Sequence, residues 1–226
     1  MSLSTGRGPL SARPAGRFTA PVPEGVAYIE PHRRRVRARK GGRTVIDSER
    51  VLLVHRPGHP PEYAFPAGDV TEVPARPETD AEGYVHVEWD AVDAWYEEDE
   101  QVFGHPRNPY HRVDSLRSDR RLRVEAAGQV LVDTTDTLMV CETALEPRLY
   151  VHPRHVRTDL LTRSDTRTYC PYKGTATYWT AHVGDVVLED VAWSYEDPLP
   201  ESVPLRRHLS FDGGRVSVTC DLPPVG

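Results

Sequence analysis

Residues 35–70 read RVRARKGGRTVIDSERVLLVHRPGHPPEYAFPAGDV, and residues 121–156 read RLRVEAAGQVLVDTTDTLMVCETALEPRLYVHPRHV. The two stretches align without a gap when the second is shifted back by 86 residues. Gly42 then falls on Gly128. Self-similarity at a fixed offset is the sequence signature of a repeated structural unit. The chain is therefore predicted to contain two copies of one unit.

Each copy consists of short apolar and β-branched runs separated by turn residues, a pattern typical of antiparallel strands. Gly42 and Gly128 close the first turn of each copy. The predicted strands are residues 35–39, a run ending at Asp47, 51–55 and 63–65 in the first copy, and residues 121–125, a run ending at Asp133, 138–141 and 149–152 in the second. The predicted fold class is mostly β, with two tandem related antiparallel β units and little helix.

After the fourth strand the two copies diverge. The second copy predicts further strands at residues 175–181, 185–190 and 215–220. The first copy predicts a strand at residues 84–89 and one short helix from Asp90 to about Tyr96, with Asp90 as its N-cap.

Composition sets the predicted boundaries of the units. Residues 1–25 are rich in Gly, Pro, Ser and Arg and contain few apolar residues, so they are predicted to be a flexible N-terminal segment. The first β unit is assigned to residues 26–114 and the second to residues 115–226.

The formal charge of −6 is unevenly distributed along the chain. Residues 1–43 carry ten basic and two acidic side chains, a balance of +8, so the remainder carries −14. Arg33, Arg35, Arg37 and Arg39 alternate along the chain, which favours the solvent face of a strand over a nucleic-acid-binding arm. With an acidic body as well, no nucleic-acid partner is predicted.

Two features predict a cytoplasmic protein without a membrane or metal partner. No apolar run reaches the roughly 18 residues of a membrane-spanning helix, and the N-terminus lacks the apolar centre of a secretory signal. Cys141, Cys170 and Cys220 include no C-x-x-C pair, which argues against a disulfide framework and a thiolate zinc site.

One candidate site lies in residues 167–179, RTYCPYKGTATYW. Lysine occurs only twice in the chain, and Lys173 follows Cys170 by three residues. An ammonium so close to a thiol can lower the thiol pKa or bind an anion, so Cys170 is a candidate nucleophile and Lys173 its activator. The alternative is a small packing cysteine beside a turn, with Lys173 covering an aromatic ring.

A second constellation lies in GHPRNPYHRVD, residues 104–114. His111 is a candidate acid or base, while His105 and Arg107 are candidate ligand-binding residues. The alternative is an ordered connector whose histidines hydrogen-bond to the backbone.

The remaining candidate ligand-binding residues flank the cysteine motif. Strand alternation places Tyr178 and Trp179 on opposite faces, so at most one of them lines a given pocket. An aromatic cavity with a cation at its base would suit a small planar or anionic ligand. The candidates are Arg167, Tyr172, Lys173, Trp179, Trp193 and Tyr195.

Three segments resemble the bacterial domain-of-unknown-function family 427, in a tandem form that covers roughly residues 26–222. They are RTYCPYKGTATYW, EDVAWSYEDPLPE (189–201) and DAVDAWYEEDEQVFGHPRNPYHRVD (90–114). The resemblance implies a fold similar to the β-tent group, which includes methionine sulfoxide reductase B and the Mss-four-type zinc proteins. In some classifications the family also carries a nucleotidyltransferase-like label.

The residues present do not match the chemistry of a nucleotidyltransferase. A nucleotidyltransferase needs a Gly-Ser turn for phosphates and paired carboxylates for metal, whereas the chain has no Gly-Ser dipeptide. Asp47 and Glu49 stand at alternate positions, but their second-copy equivalents are Asp133 and Thr135. A strand end explains both aspartates.

The sequence therefore leaves three function classes open. The favoured one is binding of a small anionic or nucleotide-like ligand at the second unit. The alternatives are a small-molecule hydrolase or transferase with a Cys170 nucleophile, and a structural or partner-binding protein without a ligand. The sequence predicts no particular cofactor or oligomeric state.

Overall fold

A computed structural model describes residues 3–222 of the chain. The chain divides into two compact units, the first unit at residues 1–111 and the second unit at residues 112–226. The sequence placed this junction between residues 114 and 115. Residues 1–2 of the predicted N-terminal segment and residues 223–226 of the predicted second β unit lie outside the described residues. Both units are built from antiparallel sheets, so the predicted mostly β class is confirmed.

The first unit is a set of short strands joined by turns and two 3-10 turns. Its strands are β1 (Tyr28–His32), β2 (Val36–Lys40), β3 (Arg43–Ser48), β4 (Val51–His55), β5 (Glu62–Pro66), β6 (Arg76–Pro77), β7 (Tyr84–His86), β8 (Ala94–Glu97) and β9 (Glu100–Val102). The 3-10 turns are Ala67–Asp69 and Trp89–Ala91.

Two sheets form the first unit, with strand orders β1-β4-β5-β7-β6 and β3-β2-β8-β9. In β2 alternate residues are buried, as in a half-buried strand, whereas β4 and β5 are buried over most of their length. Val36 and Ala38 from one sheet and Leu53 and Phe65 from the other are fully buried in one core cluster.

The second unit contains longer strands. They are β10 (Val113–Ser118), β11 (Leu122–Ala126), β12 (Gln129–Thr134), β13 (Thr137–Glu142), β14 (Arg148–Val151), β15 (Leu161–Cys170), β16 (Gly174–Val183), β17 (Val186–Tyr195), β18 (Leu209–Phe211) and β19 (Ser217–Cys220). The 3-10 segments are Pro153–His155, Thr158–Leu160 and Pro200–Leu205. The strand orders are β10-β13-β14-β18-β17-β16-β15 and β12-β11-β19.

The predicted repeat is visible in the strand register. Leu52 pairs with Ala64 in the first unit, and the residues 86 positions later, Leu138 and Tyr150, pair in the second. Both copies carry a β-bulge at the same place in the first hairpin. Each copy of the meander therefore repeats the other strand by strand.

The two repeated aspartates make the same ion pair in both units. Arg35 Nε lies 2.6 Å from Asp47 Oδ1, and Arg121 Nε lies 2.8 Å from Asp133 Oδ1. In each pair the Nη2 atom contacts the second carboxylate oxygen, which gives the bidentate geometry that arginine favours. These carboxylates therefore hold neighbouring strands together. This agrees with the interpretation of Asp47 and Asp133, made from the sequence, as residues at strand ends.

The copies differ most after the fourth strand of the meander. In the first unit the sheet continues from β5 directly to the short strands β7 and β6. In the second unit β14 is followed by β18 and then by β17, β16 and β15, each of which is ten residues long. The second unit therefore has a three-stranded extension that carries the cysteine motif.

The predicted helix from Asp90 to about Tyr96 is wrong. The chain makes only the 3-10 turn Trp89–Ala91 and then enters strand β8. Trp95 pairs with Ala38 of β2, and its side chain is buried in the core. Pairing with an existing strand satisfies the backbone and buries a large ring, which outweighs the local helix signal at Asp90.

A buried carboxylate organises the interior of the first unit. Glu97 is 3 % exposed, and its Oε1 accepts a 2.6 Å hydrogen bond from the Tyr63 hydroxyl. His32 Nε2 lies 3.4 Å from the same oxygen, and Arg34 pairs with Oε2. Burial alone would raise the pKa of Glu97, but these partners outweigh it and hold the pKa at about 2.

We expect the Glu97 network to make the first unit sensitive to acid. A carboxyl whose folded pKa is below its unfolded value stabilises the protein above roughly pH 4.3, and this stability is lost as the pH falls toward the folded pKa. From the pKa of about 2, the loss amounts to roughly 3 kcal/mol. Urea unfolding of the wild-type chain and Glu97→Gln, measured from pH 7 to pH 2.5, will show a steeper decline for the wild type.

The matched control is Glu82→Gln, which removes an exposed carboxylate of the same unit. Its decline should parallel that of the wild type. Equal slopes for Glu97→Gln and the wild type would mean that the Glu97 carboxylate does not link folding to pH.

Candidate functional site

The cysteine motif folds as a tight hairpin in the second unit. Cys170 ends β15, Gly174 begins β16, and the two residues are paired across the turn. Gly174 has a φ of +96°, and a Cβ atom there would approach the Asp197 carbonyl oxygen to 3.4 Å. Only glycine adopts this conformation without strain, so the sequence Pro-Tyr-Lys-Gly fixes the turn.

A following segment anchors this turn. The Leu199 amide donates to the Lys173 carbonyl at 3.1 Å, and the buried Ser202 hydroxyl donates to the Tyr172 carbonyl at 3.1 Å. Leu199 immediately precedes the 3-10 segment Pro200–Leu205, which contains Ser202. The turn that follows Cys170 and contains Lys173 is therefore held in place by two hydrogen bonds.

Strand register places the aromatic residues on two faces of the extension. Tyr178 pairs with Trp193 and Ala176 pairs with Tyr195, so these side chains share one face. Trp179 points to the opposite face and packs against the larger core cluster of the unit. The expected separation of Tyr178 from Trp179 is confirmed.

The face that carries Tyr178 and Trp193 borders a cavity of about 720 Å³, here called the second-unit cavity. Its volume falls in the range of small-molecule sites, roughly 300–1,000 Å³. Residues of β13, β14, β15, β16 and β17 and of the hairpin turn line it. The lining includes Glu142, Arg148, Tyr150, Lys173, Tyr178, Trp193 and Tyr195.

The Lys173 ammonium forms an ion pair with the Glu142 carboxylate at this cavity. Both side chains are only 10 % exposed. The sequence identified Lys173 but missed Glu142, which lies 31 residues earlier at the end of β13. The sequence signal for Glu142 is a carboxylate at the end of an apolar strand. That signal does not predict a contact with Lys173, because only the sheet order brings β13 to the hairpin turn.

Arg148 is a second residue that sequence reasoning missed. Its guanidinium lies over the Trp193 ring, 5.3 Å from the centroid, which is cation–π geometry. The Trp193 indole donates to the Tyr150 hydroxyl at 3.0 Å, so the ring is fixed in place. Within residues 3–222, no hydrogen bond or ion pair occupies the Arg148 guanidinium. Arg148 is thus an exposed cation of the cavity lining that lies against an aromatic ring.

Cys170 lies on the cavity face but is not among the lining residues. Thr168, two positions earlier on β15, lines the cavity, and strand alternation sends Cys170 to the same face. Burial raises the pKa of Tyr195, and nearby groups that include Cys170 raise it further. The Tyr195 hydroxyl is therefore protonated at neutral pH.

Hydroxyl groups engage a carboxylate further along the cavity. Asp190 accepts hydrogen bonds from Ser164 Oγ at 2.6 Å and from Thr166 Oγ1 at 2.8 Å. These hydrogen bonds lower the pKa of Asp190. Asp190 lies three residues from Trp193 on β17, about 10 Å along a strand. The charged groups are therefore spread along the cavity.

Three of the predicted ligand-binding residues of the second unit do not line this cavity. The Arg167 guanidinium donates to the Ser164 and Thr166 carbonyls at 2.8 and 2.6 Å. Tyr172 lies in the hairpin turn, and Trp179 is stacked under Arg163 at 5.1 Å on the other face. Lys173, Trp193 and Tyr195 are the predicted residues that the cavity brings together.

The predicted histidine constellation belongs to the first unit. His105 Nδ1 donates to the Pro106 carbonyl at 2.7 Å, and burial lowers the pKa of His105. Arg107 forms a 3.0 Å ion pair with Glu100. His111, proposed from sequence as an acid or base, is 5 % exposed.

The described residues contain no group of three or more His, Cys, Asp or Glu arranged to hold a metal ion. Among the same residues, no helix is both long and apolar enough to cross a membrane.

Comparison with known protein families gives a match over most of the chain. The family model described as "Domain of unknown function (DUF427)" matches residues 28–85 and 114–222. The two matched segments fall one in each structural unit, which agrees with the tandem repeat. No curated protein matches the chain.

We expect Lys173→Met to lower the free energy of unfolding by about 3 kcal/mol, because it leaves the Glu142 carboxylate buried without its cation. Adding Glu142→Gln to this variant should restore part of the loss, since no charge then remains buried. Denaturant unfolding at pH 7 measures both changes.

Lys40→Met is the matched control, because Lys40 is the other lysine of the chain and is exposed. An exposed substitution of this kind changes stability by about 0.5 kcal/mol or less. If Lys173→Met were as mild as Lys40→Met, the ion pair would not stabilise the hairpin turn.

Proposed function

The chain belongs to the DUF427 family, whose description names no activity, and we propose from the second-unit cavity that it binds a small planar molecule carrying a negative charge. This is ligand binding at the second unit, with the anion at Arg148 and the planar part against the aromatic residues.

The observation that carries the proposal is the guanidinium of Arg148 above Trp193. Lys173 and Arg215 also line the cavity, but Glu142 pairs with the first and Asp212 with the second. Arg148 has no such acidic partner among the described residues. A carboxylate or phosphate can therefore bind its guanidinium without displacing an ion pair.

The aromatic side chains supply the surface for the planar part. Trp193, Tyr178 and Tyr195 share one sheet face, and hydrogen bonds hold two of the rings. The Thr168 hydroxyl lies 3.0 Å from the Tyr178 hydroxyl. Rings that are already ordered lose little conformational entropy when a ligand stacks on them.

The Lys173–Glu142 pair contributes polarity but no net charge. It lies at the hairpin end of the cavity, next to Tyr195, because Gly174 and Ala176 follow Lys173 along β16. A neutralised pair of this kind can orient a polar group of the ligand. In this proposal Arg148 binds the anion, whereas the sequence predicts Lys173 for that role.

Binding is tested by isothermal titration of the full chain with adenosine monophosphate, flavin mononucleotide and salicylate, and with adenosine as an uncharged comparison. We expect at least one planar anion to bind saturably and Arg148→Gln to weaken it about tenfold or more, as loss of a charge-assisted hydrogen bond implies.

Arg163→Gln is a matched control, because Arg163 also stacks on a tryptophan, Trp179, but lies outside the second-unit cavity. Its affinity should equal that of the wild type. Failure of all three anions to bind, or equal effects of the two arginine substitutions, would contradict the proposal.

A cysteine enzyme is the second candidate, favoured by the position of Cys170 on the cavity face beside Tyr195. If Cys170 is a nucleophile, iodoacetamide will alkylate it faster than Cys141 and Cys220 below pH 8, and Lys173→Met will slow the reaction. Mass spectrometry resolves the three sites. All three cysteines are half-buried, so burial alone predicts similar alkylation rates. Equal rates at the three sites would contradict the cysteine enzyme and leave ligand binding as the proposed function.

A further inference from the structure

The first unit contains a cavity of its own, here called the first-unit cavity, with a volume of about 170 Å³. This is space for on the order of five water molecules at roughly 30 Å³ each. It fits a compact head group and not a nucleotide. Its lining includes Glu62, Tyr63, Glu88, Trp89, Trp95 and His105.

The wall of the first-unit cavity is a fixed aromatic stack. Trp89 and Trp95 stack with their ring centroids 5.2 Å apart, and Tyr63 lies 6.4 Å from Trp89 in a stacked arrangement. The Trp95 indole donates to the Trp89 carbonyl at 2.9 Å, and the Tyr63 hydroxyl donates to Glu97. Aromatic faces carry negative potential, and donation to a carboxylate increases the electron density of a phenol ring.

The charged groups at this cavity are acidic. Glu62 and Glu88 line it, and its described lining includes no lysine or arginine. Arg76 bridges the two carboxylates, with 2.8 Å to Glu62 and 3.2 Å to Glu88. Arg56 lies 3.6 Å from Glu62 but is held more closely by the buried Glu78. The two carboxylates are thus held in place. Because one guanidinium, that of Arg76, bridges both of them, an excess of negative charge remains at the cavity.

The imidazole of His105 does not oppose a bound cation. Burial lowers the pKa of His105, whose Nδ1 donates to the Pro106 carbonyl, so its ring is neutral at pH 7. His59, the other histidine of the lining, is exposed to solvent. Pro60, Pro61 and Pro106 complete a rigid apolar border.

The internal repeat gives an independent indication of ligand charge. Glu62 occupies the strand position of Arg148, since Val54 pairs with Glu62 as Val140 pairs with Arg148. Each of these residues lines the cavity of its own unit. The same strand position therefore carries opposite charges at the two cavities.

We propose that the first-unit cavity binds a small organic cation, with an alkyl- or methylammonium group against Trp89, Trp95 and Tyr63 and its charge balanced by Glu62 and Glu88. This site is separate from the proposed function, which concerns residues of the second unit.

Choline and its uncharged carbon isostere 3,3-dimethylbutan-1-ol test this site, because they have the same shape and differ in charge. Saturation-transfer NMR of the ligand methyl groups and chemical shifts of the tryptophan indoles report binding to the full chain. We expect choline to bind about tenfold more tightly than the isostere. Equal binding of the two, or no saturation by choline, would overturn the proposal.

Glu88→Gln tests the carboxylate while leaving the Glu62–Arg76 contact in place. It should weaken choline binding several-fold and leave isostere binding unchanged, and Trp89→Leu should weaken both. Thermal melts check that each variant is folded. Glu49→Gln, an exposed acid in the β3–β4 turn, is the matched control and should not alter binding. An equal loss in Glu49→Gln and Glu88→Gln would reduce the effect to net charge and overturn the site.

Two further measurements distinguish the first-unit cavity from the second-unit cavity and a free ligand from a lipid. Arg148→Gln should leave choline affinity unchanged, so that failure of the second-unit proposal does not affect this result. Sedimentation with phosphatidylcholine vesicles distinguishes the sources of the head group. Binding to the vesicles assigns the ammonium to a lipid, and binding of choline alone assigns it to a free small molecule.

Discussion

The ion pair between Lys173 and Glu142 is the contact on which the second unit depends. It joins the turn of the β15–β16 hairpin to the end of β13, which belongs to the repeated meander. Both side chains are only 10 % exposed, so removing either one would take the oppositely charged partner away from a largely buried group. This pair fixes one end of the cavity, and the register of β16 and β17 then places the aromatic rings along its wall.

The two units show how one backbone frame can present different chemistry. Register, bulge and the bidentate Arg-Asp pair recur in both copies, because they hold neighbouring strands together. Other positions of the repeat are free to vary, and two of them reverse their charge. Glu62 corresponds to Arg148, and Arg56 corresponds to Glu142. Strand pairing constrains the residues that hold the sheets together, whereas the side chains that line the cavities are constrained only by their own contacts.

The sequence predicted those features that depend on neighbouring residues. The repeat, the strand at Val51–His55 and the hairpin turn before Gly174 all follow from alternation and turn residues. The helix at Asp90 failed because pairing with β2 decided that segment. Arg148 and Glu142 were missed for the same reason. Their strands precede the motif in the chain, and they meet it only through the sheet order in which β18 joins β14 to β17.

The position of the larger cavity follows from where the copies differ. In the first unit, β7 pairs with β5 and the sheet ends after β6, so aromatic residues close over a small space. In the second unit, β18 takes the place beside β14, and the chain between them forms three long strands. Those strands extend the sheet beyond the repeated strands. The side chains on the cavity face of this extension therefore need packing partners. Trp193 obtains one from Arg148 and another from Tyr150. The second-unit cavity therefore exists because of the three-stranded extension, whereas its cation, Arg148, lies on β14 of the repeated meander.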